Sequence, residues 1–168
     1  MKFIFTRRAA STLLDPRQPD LSRFLTPIYL IPSQLLANTA PEPARVVLGL
    51  SELMLNAVEH GNLAIGYQEK SQLIKFGRLQ QEVASRLDDP RFAARRVEIE
   101  VRRVADELSF LIRDQGVGFD WHGYLEMRPE RAFDTHGRGI AMSRMVSFDR
   151  LEYRGCGNEV EAVIRLAG

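Results

Sequence analysis

One cysteine, one tryptophan and three histidines are spread through 168 residues. A lone cysteine, Cys156, cannot close an internal disulfide or build a cysteine-ligated metal centre. An excess of charge of either sign is also missing: 23 Lys+Arg face 22 Asp+Glu, a formal net charge of +1. Dedicated nucleic-acid binders carry a clustered basic excess, so nucleic acid is not an expected partner. No apolar run approaches the roughly 18 residues that mark a membrane-spanning helix, so no membrane is expected either. The segment Met1-Lys2-Phe3-Ile4-Phe5-Thr6-Arg7-Arg8 lacks the apolar centre and small-residue cleavage site of a secretory leader. The expectation is a cytoplasmic protein. There is no G-x-x-x-x-G-K-[ST], no G-x-G-x-x-G after a first strand, no H-E-x-x-H and no G-x-S-x-G. The common nucleotide folds, zinc peptidases and serine hydrolases are therefore set aside.

The composition that remains, 45% hydrophobic and 27% charged, is that of an ordinary folded domain. The length suits about one domain. Residues 1–40 read as an N-terminal extension, possibly an added strand over Lys2–Thr6, with prolines at 27 and 32 in an apolar stretch from Phe24. Residues 41–168 read as the main domain. The first clear helix runs over 42–60, with Pro41 and Pro43 suiting its first turn. Val46, Val47, Leu50, Leu53, Met54, Ala57 and Val58 give it a wide apolar stripe, and Gly61 is expected to stop it. A helical insert follows over 66–96, divided at Gly77, with a stripe of Leu73, Phe76, Leu79, Val83 and Leu87. Such a stripe is more often core packing than a docking face. Residues 96–113 alternate as a hairpin, 119–136 read as a loop, 140–146 as a short helix, and 148–153 with 158–166 as a second hairpin. Hairpins with helices grouped apart indicate an α+β sandwich with helices on one face of a mixed sheet.

Three places carry candidate chemistry. Glu52, Asn56, Glu59 and His60 share one face at about 100° per residue, opposite the apolar stripe. Most polar helix faces are only solvated. This one has no Lys or Arg, and its Asn is a weak helix former, so it is an acceptor-rich patch suited to a hard cation. Asp114-Gln-Gly116-Val-Gly118 ends a strand, where glycines let a ligand approach the backbone and the Asp can accept from an amine. Gly137-Arg138-Gly139 opens a helix, where unpaired N–H groups and the positive dipole end favour anions. Each signal by itself is shared with ordinary turns and helix starts.

Taken in order, the three resemble the boxes of the GHKL ATPases, the group that includes gyrase, histidine kinases and MutL. Glu52-Leu-Met-Leu-Asn56-Ala-Val-Glu-His60-Gly61 resembles the N box. Asp114-Gln-Gly-Val-Gly118 resembles the first glycine box, and Gly137-Arg-Gly-Ile140 the second. The resemblance spans roughly 42–166. It implies a Bergerat-type two-layer α/β sandwich with a mostly antiparallel sheet, and ATP with Mg2+ as ligands. Asn-Ala-x-x-His-Gly is similar to the anti-sigma-factor serine/threonine kinase branch, and implies a partner of anti-anti-sigma type, with a sigma factor and a homodimer as further associations. Carried over by position, Glu52 is the general base and Asn56 holds Mg2+. Asp114 takes the adenine amine, and Gly116 and Gly118 admit the nucleotide. Gly137, Arg138 and Gly139 hold phosphates, and 119–136 form a lid containing Arg128, Arg131 and His136. His60 reads as a catalytic-site residue or a helix-end cap, with the structural role slightly favoured, and Trp121 as a lid or core anchor rather than a ligand contact. Two other functions stay open: a nucleotide-gated binding module without efficient transfer, and a histidine-kinase-like domain acting in trans.

Overall fold

The computed structural model describes residues 2–5, 42–125 and 138–166. The chain forms strand β1 (Lys2–Phe5), helix α1 (Pro43–Asn56) and a π-helical turn (Ala57–Asn62). Helices α2 (Tyr67–Lys75), α3 (Leu79–Asp88) and α4 (Pro90–Ala93) follow, then strands β2 (Val97–Val104) and β3 (Glu107–Arg113). A 3-10 turn (His122–Tyr124) precedes helix α5 (Gly139–Met142), which continues as a π segment (Ser143–Ser147) into strands β4 (Arg150–Arg154) and β5 (Glu159–Arg165). The sheet runs β1-β2-β3-β5-β4. Every pairing is antiparallel, so among the described strands the sheet is not mixed.

Alternation decides which face is covered. Val97, Ile99 and Val101 of β2, Leu108, Phe110 and Ile112 of β3, and Val160, Ala162 and Ile164 of β5 point to one side. They pack against Val46, Leu50, Leu53, Met54 and Ala57 of α1 and its continuation, with Ile140 and Phe148 closing the layer. Each large apolar side chain buried this way contributes roughly 1.5–3 kcal/mol. The opposite face carries ion pairs such as Arg102–Glu100, Arg113–Glu159 and Arg154–Glu161. Partly exposed pairs contribute roughly 0–1 kcal/mol, so the helical layer dominates stability.

Pro43 occupies the first turn of α1, as expected, while Pro41 lies outside the described residues. Gly61 does not stop the helix. The backbone passes through it in a π-type turn, closed by Leu63 N–H donating to Val58 O at 2.8 Å. The insert forms a small core of its own, in which Leu63, Ile65 and Val83 are buried and Leu73, Leu79, Leu87 and Phe92 pack around them. Gly77, at φ +65°, divides α2 from α3 as the sequence indicates. Phe76 departs from the expected stripe: it is 64% exposed at that corner. Asp89 caps α4, its carboxylate accepting from Arg91 N–H at 2.8 Å.

α1 and the end of the α5 segment cross at Gly49. A Cβ there would sit 2.7 Å from both the Phe148 ring and the Ser147 hydroxyl. Alanine is worth about 1 kcal/mol more than glycine inside a helix. Overpacking of about 1–3 kcal/mol opposes it, and crowding by the Ser147 and Phe148 side chains makes the second effect larger. Gly49→Ala is expected to lower the melting temperature by about 2–8 °C, at the few degrees per kcal/mol typical of this size. Calorimetry showing no change or a rise would refute that crossing.

Candidate functional site

The α1 helix presents Glu52 and Asn56, one turn apart, to a cavity of about 910 Å³. Asp114 and Gly118 reach the same cavity from the end of β3, and Arg138 and Gly139 from the start of α5. Three segments distant in sequence thus share one cavity. Gly116 does not line it but lies behind it, and Gly137, Arg128, Arg131 and His136 lie outside the described residues.

Contact between the π turn and the loop after β3 brings the first two segments together. A Cβ on Gly61 would lie 2.7 Å from Asp114 Oδ2, and one on Gly116 would lie 2.7 Å from the Gly61 carbonyl carbon. Only glycine at both positions permits that approach. Asn62, buried at 6% exposure, then accepts from Gln115 N–H at 2.8 Å through its side chain. Asp114 N–H donates to Asn158 O at 3.0 Å, and Phe119 N–H to Cys156 O at 2.9 Å, tying the loop to the β4–β5 turn. Gly118 has φ +79°, where a side chain would be strained and would strike the Cys156 backbone. Asn62 and Asn158 have no motif of their own; their only sequence signal is a position next to a functional glycine.

The acceptor-rich face read from sequence stays on one cavity, which Glu52, Asn56, Glu59 and His60 all line. Within the π turn Glu59 meets the insert at the cavity wall. There it is 3% exposed and pairs with Lys70 Nζ at 2.6 Å. His60 caps locally, its Nδ1 meeting Ile65 O at 2.5 Å. Arg86 locks the insert to this corner, donating to Leu63 O at 2.8 Å and Ala64 O at 2.9 Å while pairing with Glu69 and Glu82. No local spacing marks Arg86, because its partners Leu63, Ala64 and Glu69 lie more than a helical turn away along the chain.

Asp114 is half-buried, and burial pushes its carboxyl up from 3.8 to about 6. The Gly116 N–H, donating to Oδ1 at 2.7 Å, and the charge of Arg95 pull the other way without prevailing. Burial also raises Tyr153, helped by the negative charge of Asp114. At the far end, the Glu52 carboxylate rests on the Cα of Gly139, so that a side chain at 139 would displace it. Among the described residues no group of three His, Cys, Asp or Glu side chains is gathered for a metal ion. A cation here would have Asn56, with the remaining oxygens supplied by its ligand or water.

A family model described as a histidine kinase-like ATPase domain matches residues 33–164. The chain belongs to this family. A search of curated proteins found no match. As a histidine kinase-like ATPase domain the chain has the expected antiparallel sheet with helices on one face, and its family binds ATP. The cavity suits such a ligand: its lining includes the half-buried Asp114 carboxyl, the Asn56 carboxamide, and a helix start with an arginine. No helix among the described residues is long and apolar enough to cross a membrane.

The raised carboxyl of Asp114 makes a pH-dependent difference. A group whose folded pKa of about 6 exceeds its unfolded value near 3.8 binds more protons folded than unfolded between the two. Its contribution favours folding at low pH and is lost as pH rises through about 6. Urea midpoints of the ATPase domain and Asp114→Asn are therefore expected to diverge, wild type losing ground between about pH 4 and pH 6 and holding a constant difference above about pH 7. A difference unchanged across the lower range, or a carboxyl carbon titrating near 4 by NMR, would contradict this.

Proposed function

We propose that this histidine kinase-like ATPase domain is a serine/threonine protein kinase that binds Mg-ATP. It would phosphorylate a small partner of anti-anti-sigma type in bacterial partner switching. The observation that carries the reading is the convergence of Glu52, Asn56, Asp114, Arg138 and Gly139 on one cavity. Asp114, with its carboxyl at the buried end, accepts from the adenine amine. Gly116 and Gly118 let the base lie close to the loop. Arg138 and Gly139 receive the phosphates at the α5 start, where the positive end of a helix favours an anion, and Gly137 joins them by its place in the motif. Asn56 supplies an oxygen to Mg2+, which when bound neutralises phosphate charge during transfer. Glu52 takes the proton from the partner's serine or threonine hydroxyl. That oxygen bonds to the γ-phosphorus as the bond to the β–γ bridging oxygen breaks, and ADP departs.

A carboxylate resting on the phosphate-binding helix start favours transfer over binding alone, because a module that only senses nucleotide needs no base there. Ligand at about 100 times its dissociation constant stabilises by roughly 2.7 kcal/mol. Mg-ATP is thus expected to raise the melting temperature by about 5–10 °C, and by much less in Asn56→Ala. Absence of any shift at millimolar ATP would remove the nucleotide reading. Glu52→Ala is expected to keep that shift and lose acid-stable phosphate transfer from labelled ATP to an anti-anti-sigma-type protein. Acid-labile label would instead mark a histidine kinase, and transfer undiminished in Glu52→Ala would remove Glu52 as the base.

A further inference from the structure

Four acids line the cavity: Glu52, Glu59, Asp114 and Glu159. Glu52 and Asp114 have parts in the reading above, and Glu159 pairs with Arg113 on the sheet. Glu59 is the acid left without a part. It sits three residues beyond Asn56, inside the π turn, and is 3% exposed. Its Oε2 lies 2.6 Å from Lys70 Nζ and meets no other partner among the described residues. Lys70 lies in the first turn of α2, where its N–H donates to Gly66 O at 2.8 Å. Glu69 beside it turns to Arg86, so it does not compete for the ammonium. Among the described residues, Lys70 and Arg138 are the cations that line the cavity.

We propose that Lys70 makes the cavity accept a polyphosphate by acting through Glu59: it holds and neutralises that carboxylate, so that the wall beyond Asn56 presents no net negative charge to the ligand. This rests on the reading of the cavity as an ATP site. Lys70 is then a positioning residue and not a phosphate contact. A lone carboxylate inside a protein repels an anion far more strongly than one in water, because little solvent screens it. The backbone keeps Glu59 at the wall, since its carbonyl accepts from Ile65 N–H at 2.8 Å. Its charge must therefore be met where it stands. Stability alone does not require the pair. A buried ion pair exchanged for apolar side chains of similar volume is often neutral or stabilising, whereas removal of one partner leaves an uncompensated charge. The insert thus gives the site a counterion that the π turn itself lacks.

NMR titration of the full chain compares ATP with adenosine, which carries no charge. EDTA keeps an unpaired Glu59 from recruiting magnesium. Lys70→Met is expected to weaken ATP binding about tenfold, the scale of one like charge brought near an anion, and to leave adenosine binding unchanged. Glu59→Gln frees the ammonium and is expected to bind ATP at least as tightly as wild type. The double variant carries neither charge and is expected to return to wild-type affinity, the non-additivity of two residues that share one function. A double variant as weak as Lys70→Met would show that the ammonium itself serves the ligand, and would overturn the proposal. So would weaker ATP binding in Glu59→Gln, equal losses for ATP and adenosine, or wild-type affinity in Lys70→Met. Should Lys70→Met fail to fold, Glu59→Gln and the double variant decide by the same comparison with wild type. A wild type that binds no ATP would overturn the nucleotide reading, and with it the purpose given to the pair.

Discussion

Everything at the site depends on how closely a helix end can approach a strand end. The π turn after α1 and the loop after β3 meet through Gly61 and Gly116, at a separation that leaves no room for a Cβ on either. That contact sets Asp114 at the back of the cavity and leaves Glu52 and Asn56 at its side. Polar bonds then fix what the glycines permit. Asn62 takes the Gln115 N–H, Asn158 takes the Asp114 N–H, and the Cys156 carbonyl takes the Phe119 N–H. None of these bonds contributes much alone, roughly 0.5–1.5 kcal/mol each. Together they hold a loop that has no regular structure of its own.

The same close packing produces the electrostatics. Asp114 is pushed up because glycine backbone replaces water around its carboxyl, while Gly116 and Arg95 only partly compensate. Lys70 arrives from the insert to satisfy Glu59, which would otherwise be a buried charge without a counterion. The insert is thus more than an appendage. Through Lys70 and Arg86 it closes the corner in which the π turn sits, and its own apolar core keeps those two cations in place. Of the four acids that line the cavity, Glu59 is paired with Lys70 and Glu159 with Arg113, while Glu52 lies by the α5 start and Asp114 in a half-buried niche.

Much of this was legible in the chain. The hairpins, the division of the insert at Gly77 and the apolar stripe of α1 follow from periodicity and turn chemistry, which are local. The three glycine- and acid-bearing segments were legible as a set, because their order and types match a family pattern. What failed failed for reasons beyond local pattern. Gly61 was read as a stop because glycine after a periodic run usually is one. Here the helix continues, since tertiary contact with Asp114 and Gly116 needs the glycine inside a turn. Glu59 lines the cavity beside Asn56 as its spacing indicates, but its ion pair with Lys70 of the insert has no local sequence signal. Phe76 was read into a stripe that the Gly77 corner interrupts.

By itself the sequence determined the two periods, the breaks between them, and the residue types able to bind a nucleotide: an acid, an amide and several glycines at set spacings. These are properties of neighbouring residues, and neighbours interact before the chain has a fold. Only the tertiary structure decided which of them meet. The pairing of Lys70 with Glu59, of Arg86 with the Leu63 and Ala64 carbonyls, and of Glu52 with Gly139 joins residues on separate elements. Such pairs depend on the crossing of α1 over the sheet and on the close contact of two glycines, and no spacing along the chain encodes a distance across it.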